Sequence, residues 1–537
     1  MTAAAIPEGL PLSELQLQIW AGQQRDPDQP LYNMAIASTI NGVLDPIRIA
    51  HAWAQVVQQF PDLTSIVRQC DGEIRRFVTG QAIALQTVDL STHADPEAAT
   101  NRLINEQCQE MFDVGQSLCR VMLIRQSEYS STWFCCIHHL ISDAGSFDIL
   151  WRALIDAYES AGVEPVVPRL NAELAALAQS SIAPQSDEAA RHWQERANPS
   201  VVDIYGSSTA PARTASRRIN VPLDQRRLDG LVSAAQTTAA RTFSPELSQS
   251  IVLAAIQVAF LYRITEQSEI SIGLLVSNRQ LSSARDLPGL HIEIIPLRIM
   301  IERNDSFSVL LNKMRAEMLS ALRFTVPGVS ARIAQNNLAV VLNFVPTVLG
   351  HFGSLSTTHE WLHPGHSDRQ HVIRLHANRW NARDELTLAF DFNQSRLPGT
   401  LSTSALAHWL ACLDDMLAQP TKPIGRICIT TPDLPAVAAP PTAAVGTTGC
   451  VLGSIVETAR RHPEQTALAQ GDERLTYEQL LHYSARMSLS LRALSAGPEQ
   501  RVGVFLPRCL ELMPAILAVL GSGATYVPID ATQPAER

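Results

Sequence analysis

Along "PIRIAHAWAQVVQQF", residues 46–60, Ile49, Trp53, Val56, Val57 and Phe60 fall at helical spacing, so the segment predicts a helix with one apolar face, packed on a sheet. Residues 131–137, "STWFCCI", are continuously apolar and β-compatible, and predict a strand. A short loop later, "SFDILWRALIDAYESA" sets Phe147, Leu150, Leu154 and Tyr158 on one helical face behind a Ser146 cap. Near the end of the chain, Ala467 to Gln470 predict a short strand, "GDER" a turn, and a helix opens after Thr476, where Glu478 or Gln479 completes a cap. Strand and helix patterns are mixed throughout and no fixed period repeats. The expected class is α/β or α+β, neither solenoid nor helical bundle.

The chain has 537 residues, 46% hydrophobic and 18% charged, the balance of a globular protein with about three or four folding units. Two stretches break the periodic pattern. "QSSIAPQSDE", residues 179–188, is a polar crossing between two halves, and residues 431–449 carry Pro432, Pro435, Pro440 and Pro441 among small residues, the composition of a linker. The expected units are therefore 10–180, 181–430, a linker over 431–449, and 450–537. A net charge of −10 opposes a phosphate-tracking surface, so no nucleic acid partner is expected. The first residues lack a signal peptide's basic start and apolar core, and charge interrupts the apolar runs, which implies a cytoplasmic protein without a membrane partner. Nine cysteines show no C-x-x-C spacing and fit reduced thiols. Cys135 and Cys136 should point to opposite faces of their strand, a poor geometry for a disulfide.

The candidate chemistry lies in "FCCIHHLISDAGS", residues 134–146, where His138 and His139 follow the apolar strand, Asp143 comes four residues after the second, and a loop feeds the next helix. A metal site, an acid/base centre and a buried strand with its turn all compete as readings. Adjacent residues leaving a strand point apart, and no His/Cys cluster of ligand spacing occurs elsewhere, so no metal is expected. A histidine facing a cavity could hold or move a proton on an amine.

The stretch resembles the H-H-x-x-x-D-G signature of condensation domains of non-ribosomal peptide synthetases, relatives of chloramphenicol acetyltransferase, with His138, His139 and Asp143 in place. Ala144 stands where the signature has its glycine, and Gly145 follows. "SELQLQIW", residues 13–20, is similar to the family's opening motif and keeps Ser13, Gln16 and Trp20; "IGLLVSNR", 272–279, and "GLHIEIIPLR", 289–298, resemble two later motifs. After the linker, "LTYEQL", 475–480, and "LGSGATYVPID", 520–530, resemble the first core motifs of an adenylation domain. Three segments depart from the family pattern: "QFPDLTS", 59–65, lacks its usual arginines and histidine, Glu293 replaces an asparagine, and "RFTVPGV", 323–329, barely keeps its motif.

The resemblance implies two chloramphenicol-acetyltransferase-like halves in a V-shaped pseudo-dimer with a tunnel between them, followed by the N-terminal fragment of an adenylate-forming domain. It implies amide formation between a donor acyl thioester, an initiating acyl or aryl group, and a carrier-bound aminoacyl thioester. Two alternatives stand beside this: an elongation domain fed in trans by an upstream peptidyl carrier, and a non-catalytic recruitment module. His139 is expected to face the tunnel and His138 to be buried, with Gly145 beside them. Asp143 is expected to tie the loop by a salt bridge to Arg279, while Ser13 and Gln16 support the site. No cofactor is expected on the chain itself. The substrates ride on phosphopantetheine arms, from a downstream acceptor carrier and from either acyl-CoA or a stand-alone acyl or aryl carrier. ATP and Mg belong to a complete adenylation domain, and residues 450–537, lacking its glycine-rich loop, are not expected to adenylate an amino acid.

Overall fold

The computed structural model describes residues 9–160, 169, 187–196, 202–207, 212–279, 285–326, 328–333, 338–382, 385–429 and 451–530. Most of the polar crossing and the whole linker over 431–449 lie outside the described residues. Two compact units divide at Leu434 and Pro435.

In the first unit, a five-stranded sheet runs Ser356–Leu362, Asn33–Asn41, Ser130–His138, Cys119–Arg125, Gln86–Asp89. Its central strand Ser130–His138 is apolar because both faces are covered. Trp133, Cys135 and Ile137 enter a core with Trp53, Phe147 and Trp151, whereas Phe134 and Cys136 pack with Ile104, Cys108 and Met122 on the other side. Cys135 and Cys136 thus lie in different cores, and all the described cysteines are free. The helix Pro46–Gln59 starts at Asp45, whose side chain accepts from the Ile47 and Arg48 amides. Its five predicted apolar positions are all buried.

The second sheet has six strands, in the order Ile292–Met300, Glu269–Ser277, Val340–Val345, Ile373–Asn378, Thr387–Asn393, Ser216–Pro222. Leu375, Phe390 and Phe392 face a core built with helices Pro245–Thr265, Phe307–Arg323 and Gly399–Ala418. The alternate positions Arg374, His376, Asp391 and Arg218 turn to the opposite face, where they line a cavity with residues of the first sheet's half. The strand Ser356–Leu362 comes from the later half of the sequence yet pairs antiparallel with Asn33–Asn41. A cut near residue 180 therefore does not separate the two sheets.

Pro245–Thr265 corrects the expectation that charge interrupts every apolar run: it is long and apolar enough to cross a membrane. Here it is the core helix of the second sheet, with Ile251 to Leu261 buried along its length.

The second unit carries a helix Val451–Arg461, a hairpin of Thr466–Gln470 and Glu473–Thr476, a helix Tyr477–Ala493, and a parallel pair Arg501–Phe505 and Thr525–Ile529 around the helix Leu512–Ser522. Thr476 caps its helix reciprocally with Gln479, one of the two partners the sequence offered.

Candidate active site

The site begins with two caps. Ser13 Oγ accepts from the Gln16 amide while Gln16 Oε1 accepts from the Ser13 amide, the reciprocal box that starts the helix Glu14–Arg25. That leaves Gln16 Nε2 to donate to the carbonyl of Leu140 at 2.7 Å, so the first helix holds the histidine loop. The second cap corrects the sequence reading. Asp143, not Ser146, is the N-cap of the helix Ala144–Glu159, and Ser146 sits three residues in as its reciprocal partner. An aspartate is as good a cap as serine, and here it has a second task.

Asp143 Oδ1 accepts from Arg279 Nη2 at 2.5 Å, and Oδ2 accepts from the His291 amide at 3.0 Å. Arg279 also donates to the carbonyls of Leu287 and Gly289. Burial pushes the Asp143 carboxyl up, but Arg279, His291 and these hydrogen bonds outweigh it and hold the group below its ordinary range. Gly145 lies against the same guanidinium: a Cβ there would stand 2.7 Å from Arg279 Nε. Ala144, by contrast, is an ordinary first helical residue that lines the cavity. As the first residue of a regular helix it has a backbone that any residue adopts, so the position does not require glycine.

The two histidines part as strand geometry requires. His138, 1% exposed, packs against Tyr32 and Phe112 and accepts from the Leu140 amide through Nδ1. Burial lowers its pKa to about 3, so it is neutral. His139 Nδ1 lies 2.7 Å from the carbonyl oxygen of Ser142. A carbonyl only accepts, so Nδ1 carries the hydrogen and Nε2 holds a free lone pair. Among the described residues Nε2 has no hydrogen-bond partner. Burial lowers the His139 pKa; the Ser142 bond and Asp143 oppose this, and the charge of Arg374 adds to it.

His139 and Ala144 line a cavity of about 80 Å³ together with Tyr32 from the first half and Arg218, His376 and Asp391 from the second sheet. Its far wall is an internally matched group. Arg218 holds Asp391 through two bonds of 2.6 and 2.8 Å, Asp391 accepts from His376 Nε2 at 3.1 Å, and His376 Nδ1 faces the Asn343 amide. The motif reading missed these residues. Their signal was charged and imidazole side chains alternating with buried apolar ones, as in "IRLHAN".

The departures from the family pattern have local partners. Asp62 pairs with Arg76 at 2.8 Å inside the stretch "QFPDLTS". Glu293 accepts from the amides of Gly328 and Ser330, from the Ser330 hydroxyl and from Asn278, which fixes the turn where "RFTVPGV" ends. Among the described residues no group of three or more His, Cys, Asp or Glu side chains is arranged to hold a metal ion.

Residues 7–332 match the profile of the condensation domain, and residues 455–537 that of the AMP-binding enzyme. The chain belongs to the condensation-domain family. Among its relatives are phosphinothricin tripeptide synthetase PhsC of Streptomyces viridochromogenes and the isonitrile lipopeptide synthase of Streptomyces coeruleorubidus, each 27% identical over 98% of this chain. The chain spans 50% and 36% of their respective lengths. The fold is shared with the starter condensation domain of rhizomide synthetase, solved with C8-CoA (TM-score 0.68, 23% identity, 78% of this chain and 97% of that one). It is shared also with the first condensation domain of the calcium-dependent antibiotic synthetase, solved with a substrate analogue (TM-score 0.67, 20% identity, 79% of this chain and 100% of that one).

Proposed function

We propose that the first unit joins a donor acyl thioester to the amine of a carrier-bound aminoacyl thioester. The observation that carries this reading is His139: its Nδ1 is committed to the Ser142 carbonyl, and Nε2 is left free at a cavity lined from both halves. The amine nitrogen attacks the thioester carbonyl carbon and passes a proton to Nε2. The C–S bond then breaks and the departing thiolate takes that proton, giving an amide and a free thiol. A thioester is already activated, so alignment and proton handling are the protein's main tasks. His138, Gln16, Ser13 and the Asp143–Arg279 pair position the loop, and Gly145 leaves room for the guanidinium.

The donor in this reading is an initiating acyl or aryl group, brought by CoA or a stand-alone carrier, and the acceptor arm is phosphopantetheine on a carrier domain. The C8-CoA complex of a starter domain with the same fold supports the CoA route. The AMP-binding stretch fits a partner activity that uses ATP and Mg to load the acceptor, and the reaction would run in the cytoplasm.

The test is single-turnover amide formation with a loaded acceptor carrier and separate acyl-CoA, acyl-carrier and peptidyl-carrier donors. His139→Ala should lower the rate about 10²- to 10⁴-fold without changing the melting temperature. An unchanged rate removes His139 from the mechanism. Product from the peptidyl carrier alone makes this an elongation domain, and no product from any donor supports a recruitment role.

A further inference from the structure

Two arginines of the second sheet line the cavity, and they differ in one respect. Arg218 is matched: it grips Asp391 through two bonds, donates to the Trp361 carbonyl at 3.1 Å, and lies over the Trp361 ring. Arg374 lies two residues before His376 on the strand Ile373–Asn378 and on the same face, but among the described residues it has no such partner. Its nearest carboxylate oxygen is Asp368 Oδ2, 4.0 Å from Nη1, beyond hydrogen-bond reach. The other oxygen of that carboxylate already takes the Tyr32 hydroxyl at 2.6 Å. Arg374 Nε is buried and has no hydrogen-bond partner among the described residues. A guanidinium presents five N–H donors in a rigid fork, and leaving one largely buried, here with 18% of its side chain exposed, without a matched anion carries a cost.

His139, whose Nε2 has no hydrogen-bond partner among the described residues, lines the same cavity. We propose that Arg374 is a specificity residue that binds a carboxylate carried by the substrate, on either the donor acyl group or the side chain of the acceptor. This rests on the acyl-transfer reading of the cavity. A planar carboxylate offers two oxygens to the fork, whereas a tetrahedral oxyanion offers one, so a resident carboxylate satisfies more of the open donors. The cavity, about 80 Å³, suits a compact polar end-group better than a long acyl chain. The charge of Arg374 also helps keep His139, His363, His371 and His376 unprotonated, after burial. A bound carboxylate would offset that charge and make His139 a stronger base for acidic substrates.

Calorimetry on the full chain tests binding apart from turnover, so a chain that forms no amide can still show or lack the carboxylate site. The donor arm compares succinyl-CoA with butyryl-CoA; the acceptor arm compares amide-linked aspartyl- and asparaginyl-pantetheine. In one arm the acidic member should bind about 10- to 100-fold more tightly, the scale of hydrogen bonds to a charged group. Arg374→Gln should erase that preference, and Arg374→Lys, which keeps the charge but loses the fork, should retain part of it. If Arg374→Gln does not fold, Arg374→Lys reads the same contrast. No acidic preference in either arm of the unmodified protein overturns the proposal. So does an equal loss of turnover for acidic and neutral substrates in Arg374→Gln or Arg374→Lys, which would mark Arg374 as an oxyanion donor.

Discussion

Arg279 Nη2 donates to Asp143 Oδ1 at 2.5 Å, joining the helix under the histidine loop to the end of a strand in the second sheet. Both side chains are largely buried, 12% and 2% exposed. Asp143→Ala should cost about 3–5 kcal/mol of stability, because the arginine would remain enclosed without its partner. Asp143→Asn keeps an oxygen for the Ser146 amide and should lose less. Urea melts of the three proteins check this order, and equal midpoints would show that the pair contributes nothing.

Gly145 and Ala144 should respond in opposite ways to exchange. A Cβ on Gly145 meets Arg279 Nε at 2.7 Å, and that guanidinium is pinned by Asp143, Leu287 and Gly289. Gly145→Ala should therefore destabilise by about 1–3 kcal/mol, the scale of overpacking. Ala144→Gly restores the residue the family signature carries, yet Ala144 is already in regular helix. It should cost no more than about 1 kcal/mol and leave amide formation within a few-fold. Thermal melts and single-turnover rates on both variants decide the matter.

The strands and helices that bury apolar side chains were legible because their spacing is set by packing. Ser130–His138 extends one residue beyond the expected strand at each end, and Pro46–Gln59 ends one residue short of the expected helix. The histidine loop was legible through its motif. What stayed hidden depends on chain crossings that leave no local mark. Ser356–Leu362 joins the first sheet from about 315 residues beyond its partner strand, as the Ser356–Asn41 pairing shows. The cavity's far wall is likewise assembled from Arg218, Asn343, His376 and Asp391 on four strands, and no single window contains it. The Ser146 cap was misassigned because serine and aspartate cap equally well, and the helix opens three residues earlier, where the Asp143 side chain accepts from the Ser146 amide.

Glu293, where the family has asparagine, takes four donors: two amides, a hydroxyl and the Asn278 side chain. Burial raises its pKa, and the bonds from Ser330 and Gly328 oppose the rise. Glu293→Gln turns one acceptor oxygen into an NH₂ that faces donors, and should cost about 1–3 kcal/mol. The turn from Gly328 onward should loosen, read as faster amide exchange at Ser330. Unchanged exchange and stability would mean that this carboxylate does not hold the turn.

The buried histidines give the protein an acid-sensitive stability with a definite sign. Burial is the first cause in each case, lowering His291, His359, His363, His371 and His376 to about 4 and His138 to about 3. Unfolded imidazoles titrate near 6.5. Above that value neither state binds the proton and these groups leave stability level. Below it the unfolded chain takes up protons that the native chain refuses, so stability falls with pH until about 4, where the native groups charge as well. Asp143 and Asp391, held below the ordinary carboxylate range, contribute their loss at still lower pH. The melting temperature should be flat from pH 8 to 7 and drop steadily from 6.5 toward 4.5. His359→Gln tests one contributor: His359 bonds to Ser38 through Nδ1 and to the Gly350 carbonyl through Nε2, and removing its titration should make the decline shallower by up to about 1.4 kcal/mol per pH unit. His139 is also lowered, so its free base persists below pH 6.5. The single-turnover rate, corrected for the folded fraction, should then fall with a midpoint below that of a free imidazole. A rate that falls with a midpoint at 6.5 while the melting temperature stays level would contradict this account.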